Sequence, residues 1–267
     1  LTVKISKEET NIKNYISQSY DNMNSIEQKI RLYKKFKNIF ERPSLKKDLE
    51  TYYNQIVESY RSDVLAKIKT LVLSSDMTKY QIRNMPHYAK QVLWLKHLNR
   101  RADEPIKMLK FDNHTVVGMY NDVVEILVKK QIYVIMDFFT TVENHKAKLQ
   151  SPVFTSVTRA NGEKLIVVNF DPVVFQLIRE SKVLERNRIK LLKPAETVLI
   201  QEDKYKRYFN ELNEVIGEYY KVRSKIRSIL TKLMQPHLKN FEYKLKPGFY
   251  EITWTSLKIE SFIKQIK

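Results

Sequence analysis

The sequence has 267 residues, 43% of them hydrophobic, with 48 Lys and Arg against 30 Asp and Glu, a formal charge of +18 and no cysteine. A chain of this size can bury its own core, and the missing thiols exclude disulfide frameworks, thiolate metal sites and cysteine nucleophiles together. The few glycines, Gly118, Gly162, Gly217 and Gly248, are too far apart for a P-loop or dinucleotide-binding turn, which needs them clustered so that backbone N–H groups can wrap an anion.

Helical periodicity dominates from the N-terminus onward. Leu1 to Thr10 do not read as a signal peptide, and the absence of an initiator methionine predicts a piece of something longer. Ile26, Ile30, Tyr33, Phe36 and Phe40 form a first apolar stripe, and Pro43-Ser44 punctuates the gap before a second: Leu49, Tyr52, Tyr53, Ile56, Tyr60, Val64, Ile68 and Leu71. Recurrence every three to four residues sets such side chains on one helix face, directed at a core or a neighbouring helix. Pro86 sits where a further helix can begin, running through Val92, Leu95, Leu98 and Ala102, and Pro105 predicts a kink or an end near Glu104. A long helix comes next, with its stripe at Tyr120, Val123, Val124, Leu127, Ile132, Ile135, Phe138, Phe139 and Val142.

One stretch departs from this period. Val153–Thr158 and Leu165–Phe170 are short, β-branched and roughly alternating, with Asn161-Gly162 between them. That dipeptide predicts a two-stranded hairpin, which must lie against a helix because an isolated hairpin is marginal in water. Asp171 as N-cap with Pro172 at the first helical position then opens the next helix, and Pro194 is placed to open a long one. Its stripe, Tyr205, Tyr208, Phe209, Leu212, Val215, Ile216 and Tyr219, is expected to continue through Val222, Ile226, Ile229, Leu230 and Leu233. Pro236 and Pro247-Gly248 punctuate the C-terminal region, and Ile259, Phe262, Ile263 and Ile266 mark a final helix face.

The expected fold is therefore mostly α, an elongated stack of helical bundles with one inserted β-hairpin at about residues 153–170. The expected divisions are a helical bundle segment over 1–150, the hairpin insertion over 151–172, and a second helical segment over 173–267. No stretch approaches the roughly 18 consecutive apolar residues of a membrane span.

Candidate chemistry is sparse. The histidines His87, His97, His114, His145 and His237 form no HExxH pair, and no two lie one helix turn apart. Asp103-Glu104 and Glu202-Asp203 are adjacent carboxylates that diverge on a helix and make no acid–base dyad. No catalytic, cofactor-binding or metal-binding residue is assigned. The charge predicts attraction to nucleic acid, anionic lipid or an acidic protein surface. Basic and aromatic residues interleave at Arg31–Lys37 and Lys204–Phe209, as nucleic-acid readers require. Here, however, the aromatics fall on the core-directed stripe and the lysines on the opposite face. A basic helical module for nucleic acid or an anionic membrane is the alternative reading. Trp94 and Trp254 are large apolar anchors that suit either a core or a partner interface.

Three blocks carry a resemblance. Arg83-Asn84-Met85-Pro86, followed by Trp94 and Arg101-Ala102-Asp103-Glu104-Pro105, resembles a block in dynein heavy-chain tails. Val168-Asn169-Phe170-Asp171-Pro172 with Leu177-Ile178-Arg179-Glu180 is similar to a second, and Leu245-Lys246-Pro247-Gly248 with Ile252-Thr253-Trp254-Thr255-Ser256 to a third. The third points toward axonemal heavy chains. His87, Ala102 and Phe249-Tyr250-Glu251 depart from the family pattern, and residues 1–79 match it only in helical character. The resemblance implies a non-catalytic, helical tail scaffold of a ciliary motor, in the cytoplasm and the axoneme. It implies intermediate chains, light chains and other heavy chains as partners, with no nucleic acid, no membrane and no cofactor. ATP hydrolysis is then expected elsewhere in the parent chain.

Overall fold

Apolar stripes become helices along most of the chain, and in the computed structural model 76% of residues are helical, with a small antiparallel sheet. The structure describes residues 2–36, 43–78, 80, 82–109 and 113–267. The chain divides into two units, one of residues 1–85 and 90–135, the other of 86–89 and 136–267.

The first unit holds α1 (Thr2–Asp21), α2 (Ile26–Phe36), α3 (Pro43–Ser59), a π-helical stretch (Tyr60–Ala66) and α4 (Lys67–Ser74). It also holds most of α5 (His87–Met108) and the N-terminal part of α6 (His114–Lys148). The second predicted stripe goes inward, with Ile56, Tyr60, Val64 and Ile68 buried. Phe40 lies outside the described residues, as does the side chain of Leu49. Tyr60 is fully buried, and its hydroxyl donates to the Ala102 carbonyl of α5 at 2.7 Å. Tyr120 on α6 donates to Asp103 at 2.6 Å. Pro105 does not end the helix near Glu104: α5 continues to Met108, and the Leu109 N–H bonds the Pro105 carbonyl at 2.9 Å. Only one N–H is missing, so near a helix end a proline removes little of the ladder.

The second unit contains the C-terminal part of α6, then β1 (Phe154–Thr158), β2 (Lys164–Val168), α7 (Val173–Arg186) and α8 (Lys193–Ile200). Next come α9 (Glu202–Lys225), α10 (Ser228–Leu245), the short turn α11 (Pro247–Tyr250) and α12 (Ile259–Ile266). Its core joins Leu149, Val153, Phe154 and Val168 to Ile178, Leu212, Trp254 and the α12 face. The hairpin therefore belongs to the second unit's core, and the division falls inside α6 at Ile135/Met136, not at residues 150 and 172.

The hairpin pairs Phe154 with Val168 through Thr158 with Lys164. Its turn is not the two-residue kind that Asn-Gly usually makes. The Gly162 N–H bonds the Arg159 carbonyl, the Arg159 N–H bonds the Glu163 carbonyl, and Gly162 alone takes positive φ, at +80°. This is a three-residue loop with the glycine in the left-handed position that closes the ladder.

Two helical expectations change. Pro194 opens a short helix, α8, and Gln201 at φ −91°, ψ 7° breaks the chain before α9. The long stripe stops at Ile226 and Arg227, which are extended (ψ 116° and 148°), so α10 starts on a new phase. Leu230 and Leu233, past the break, consequently stand 47% and 71% exposed instead of continuing the core, and Val222, still on α9, is already 50% exposed. The Ile229 side chain lies outside the described residues' side chains. Among the described residues no helix is long and apolar enough to cross a membrane.

Candidate functional site

The residues of the second and third sequence blocks meet within the second unit, at the foot of the hairpin. Asn169, just after β2, is the hub. Its N–H donates to the Val153 carbonyl at 2.8 Å, its side-chain amide donates to the Pro152 carbonyl at 2.9 Å, and its own carbonyl accepts the Trp254 indole N–H at 2.7 Å. The Trp254 ring stands edge-on to Phe170 with centroids 4.6 Å apart, and Phe170 continues into Phe175 and Phe209. Val153 donates its N–H to Ile252 at 2.9 Å, and Pro152 bridges Thr253. The second and third blocks are thus stitched together with a backbone group in every bond, and such groups must find a partner when buried.

Two carboxylates cap helices here. Asp171 Oδ1 accepts the Val173 N–H at 3.0 Å, and Pro172 already has helical φ and ψ, so Asp171 is the working N-cap of α7. Its other oxygen accepts His145 Nδ1 at 2.6 Å and lies 3.2 Å from Lys148 Nζ. Burial pulls the Asp171 pKa upward, but His145, the Val173 N–H and Lys148 outweigh it and hold the carboxyl below the usual carboxylate range.

Glu180 is buried on α7 and reaches back over ninety residues to the start of α5. Its two oxygens accept the Tyr88 and Ala89 N–H groups at 3.0 and 2.8 Å. Burial raises its pKa, against the opposing pull of those N–H groups. The first block delivers these donors: Asn84 takes positive φ (58°) and Pro86 directly precedes α5. The Glu of the second block therefore caps the helix that the first block opens. Tyr88 completes the contact, bonding Thr141 at 3.0 Å and packing on Phe138.

Gly248 in the third block sits against the Phe154 ring, where an added Cβ would lie 2.4 Å from Cδ2. Trp254 is 2% exposed within this cluster, and Trp94, in the first unit, is 4% exposed. Each is a buried core side chain of its own unit. A lone tryptophan on a stripe carries no signal separating core from interface. The capping role of Glu180 was likewise absent from its local sequence, because its donors lie ninety residues away.

On another face of the unit, a groove of about 540 Å³ runs between α9, α10 and the end of α12. Val215, Tyr219, Met234, Leu238, Phe241 and Ile266 line it, and Glu214, Glu218, His237 and Lys267 stand at its rim. The Tyr219 phenol, pushed up to about 12 by burial and by its Glu242 acceptor 2.5 Å away, stays a neutral donor. Among the described residues no group of three His, Asp or Glu is placed to hold a metal ion.

The family model described as "Dynein heavy chain, N-terminal region 1" matches residues 2–262. The chain belongs to that family. As a dynein heavy-chain N-terminal region it is 31% identical over 99% of its length to the "Dynein gamma chain, flagellar outer arm" of Chlamydomonas reinhardtii. It is 27% identical over 99% of its length to "Dynein axonemal heavy chain 8" of Mus musculus, and 23% over 94% to the "Dynein beta chain, ciliary" of Tripneustes gratilla. It spans about 6% of the length of each of these relatives. The resemblance of the three blocks to dynein heavy-chain tails, and of the third to axonemal ones, agrees with these matches.

Proposed function

We propose that this chain is a non-catalytic scaffold segment of a dynein heavy-chain tail, taking part in heavy-chain association and carrying intermediate and light chains. It would work in a ciliary or flagellar motor, in the cytoplasm and the axoneme, with ATP hydrolysis elsewhere in the parent chain. One observation carries this reading: key polar groups of the second and third blocks are used in helix caps and strand-to-loop hydrogen bonds. Asn169, Asp171, Glu180 and Trp254 all bond to the protein's own backbone, which is the use of polar residues expected of a stiff bundle. The groove and the exposed Val222, Leu230 and Leu233 add apolar surface suited to protein contact.

The charge of +18 favours the alternative of a basic module. Against it, of the three aromatics in the Lys204–Phe209 cluster Tyr205 and Tyr208 are buried and Phe209 packs on Phe170 and Phe175, which leaves no open stacking platform. Co-elution of the purified chain with dynein intermediate chain at physiological salt, with random duplex DNA as control, separates the readings. Binding to the intermediate chain alone supports the scaffold. Binding to DNA alone overturns it, and binding to neither means that the partner is another heavy chain or that the partner site lies outside these residues.

A further inference from the structure

The two edges of the hairpin differ. The Asn169 N–H to Val153 carbonyl bond and the Arg159 N–H to Glu163 carbonyl bond, at 2.8 and 2.9 Å, fix the phase of the ladder. With the observed register, Thr155, Val157 and Arg159 turn their backbone groups toward β2, while Ser156 and Thr158 turn theirs away. On β2 the outward N–H of Ile166 is taken by the Tyr220 hydroxyl of α9 at 2.5 Å, so that edge is covered. On β1, among the described residues, no hydrogen bond engages the outward N–H and C=O groups of Ser156 and Thr158, and both residues are exposed.

The edge also lacks the usual guards. Natural sheets protect open edges with Lys, Pro or a bulge. Here Phe154-Thr155-Ser156-Val157-Thr158 is uncharged in a chain that is 29% charged, and its ladder runs unbulged from Phe154 to Thr158. Thr155, Val157 and Val167 share the open face, with Val157 50% and Val167 40% exposed. An edge of β-branched residues with unused backbone groups is the template for strand addition, in which backbone bonds give affinity and alternate side chains give specificity.

We infer that β1 is a docking edge for an extended, acidic-flanked segment of a partner protein, which adds as a third strand beside Ser156 and Thr158. Charge selects the occupant. A second copy would bring another +18, whereas acidic flanks complement that field and the exposed Lys164 beside the turn. Docking at this edge does not depend on the tail assignment, because it rests on the ladder phase and the charge of this chain alone.

The test uses a fluorescein-labelled peptide with a Thr-Val-Thr-Val centre and two glutamates at each end, titrated into the full 267-residue chain. Binding should be saturable, and the Ser156 and Thr158 amides, fast-exchanging in the free chain, should gain about tenfold or more protection from hydrogen exchange. Ser156→Pro removes an outward N–H without touching the β1–β2 ladder, and Ser156→Lys places a charge on the edge. Each should weaken binding about tenfold or more while leaving the melting curve in place. Four outcomes overturn the inference: no binding at millimolar peptide, unchanged affinity in both variants, amides already protected in the free chain, or a β1-dependent homodimer in sedimentation.

Discussion

Replacing Gly248 with alanine sets two opposing effects against each other, and the structure decides between them. In a helical turn, Gly→Ala by itself stabilises by about 0.5–1 kcal/mol, because the unfolded chain loses freedom. At Gly248 the new methyl would lie 2.4 and 2.8 Å from two carbons of the Phe154 ring and 3.0 Å from Phe262. Carbon atoms rest about 3.5–4.0 Å apart, so the ring would have to retreat by roughly an ångström. It has little room: Phe154 is 2% exposed and held between Phe249 and Phe262 at centroid distances of 5.7 and 6.1 Å. Overpacking of this kind costs about 1–3 kcal/mol, and a locked aromatic neighbour puts it at the upper end. The net expectation for Gly248→Ala is a loss of about 1–2 kcal/mol, read as a lower urea midpoint at constant slope. Gly217→Ala on α9, where a Cβ meets nothing within 4 Å, should instead gain about 0.5–1 kcal/mol. Pairing Gly248→Ala with Phe154→Leu should return about 1 kcal/mol of coupling energy. A midpoint for Gly248→Ala at or above that of the parent chain would refute the reasoning.

The helix caps carry further expectations. Glu180→Ala strands the Tyr88 and Ala89 N–H groups and should cost about 1–3 kcal/mol, with faster exchange at those amides. Because the Glu180 carboxyl is raised in the fold, its protonation contributes stability that is lost as pH rises through the folded value, and Glu180→Gln should flatten that slope in thermal melts. Asp171 is lowered, so its contribution is present above the ordinary carboxylate range and lost as pH falls through the folded value. The gap of about 1 kcal/mol between the parent chain and Asp171→Asn should therefore close below about pH 4. Trp254→Phe removes the donor to the Asn169 carbonyl and part of the indole volume, and should lower stability by about 2–3 kcal/mol in urea titrations.

Local chemistry in the sequence made the helices, the hairpin and the Asp171 cap legible. Periodicity marks a helix wherever one face is buried, and Asn161-Gly162 marks a reversal whichever turn it adopts. What the local sequence lacked was phase and distance. Val222 and Leu233 keep the spacing of the α9 stripe, yet Ile226 and Arg227 reset the chain between them, and no propensity marks that break. Pro105 carries a stop signal that the remaining contacts of α5 override. Glu180 and its amide donors lie ninety residues apart, and the ends of Trp94 and Trp254 in separate cores depend on the same kind of long-range packing. The division inside α6 was hidden because a single helix crosses it without any change of composition.

The π-helical stretch Tyr60–Ala66 has a geometric consequence for the first unit. Ile56, Tyr60, Val64, Ile68 and Val72 are all buried, at strict intervals of four. In an α-helix of about 3.6 residues per turn, each four-residue step overshoots a full revolution, so the row would wind steadily around the cylinder. The wider π turns close their hydrogen bonds one residue later, so the same step there falls short of a revolution. Overshoot and shortfall offset one another, and from within the row Tyr60 reaches the Ala102 carbonyl. The irregular turn works as a phase corrector, keeping this buried row nearer to one face than an unbroken α-helix would.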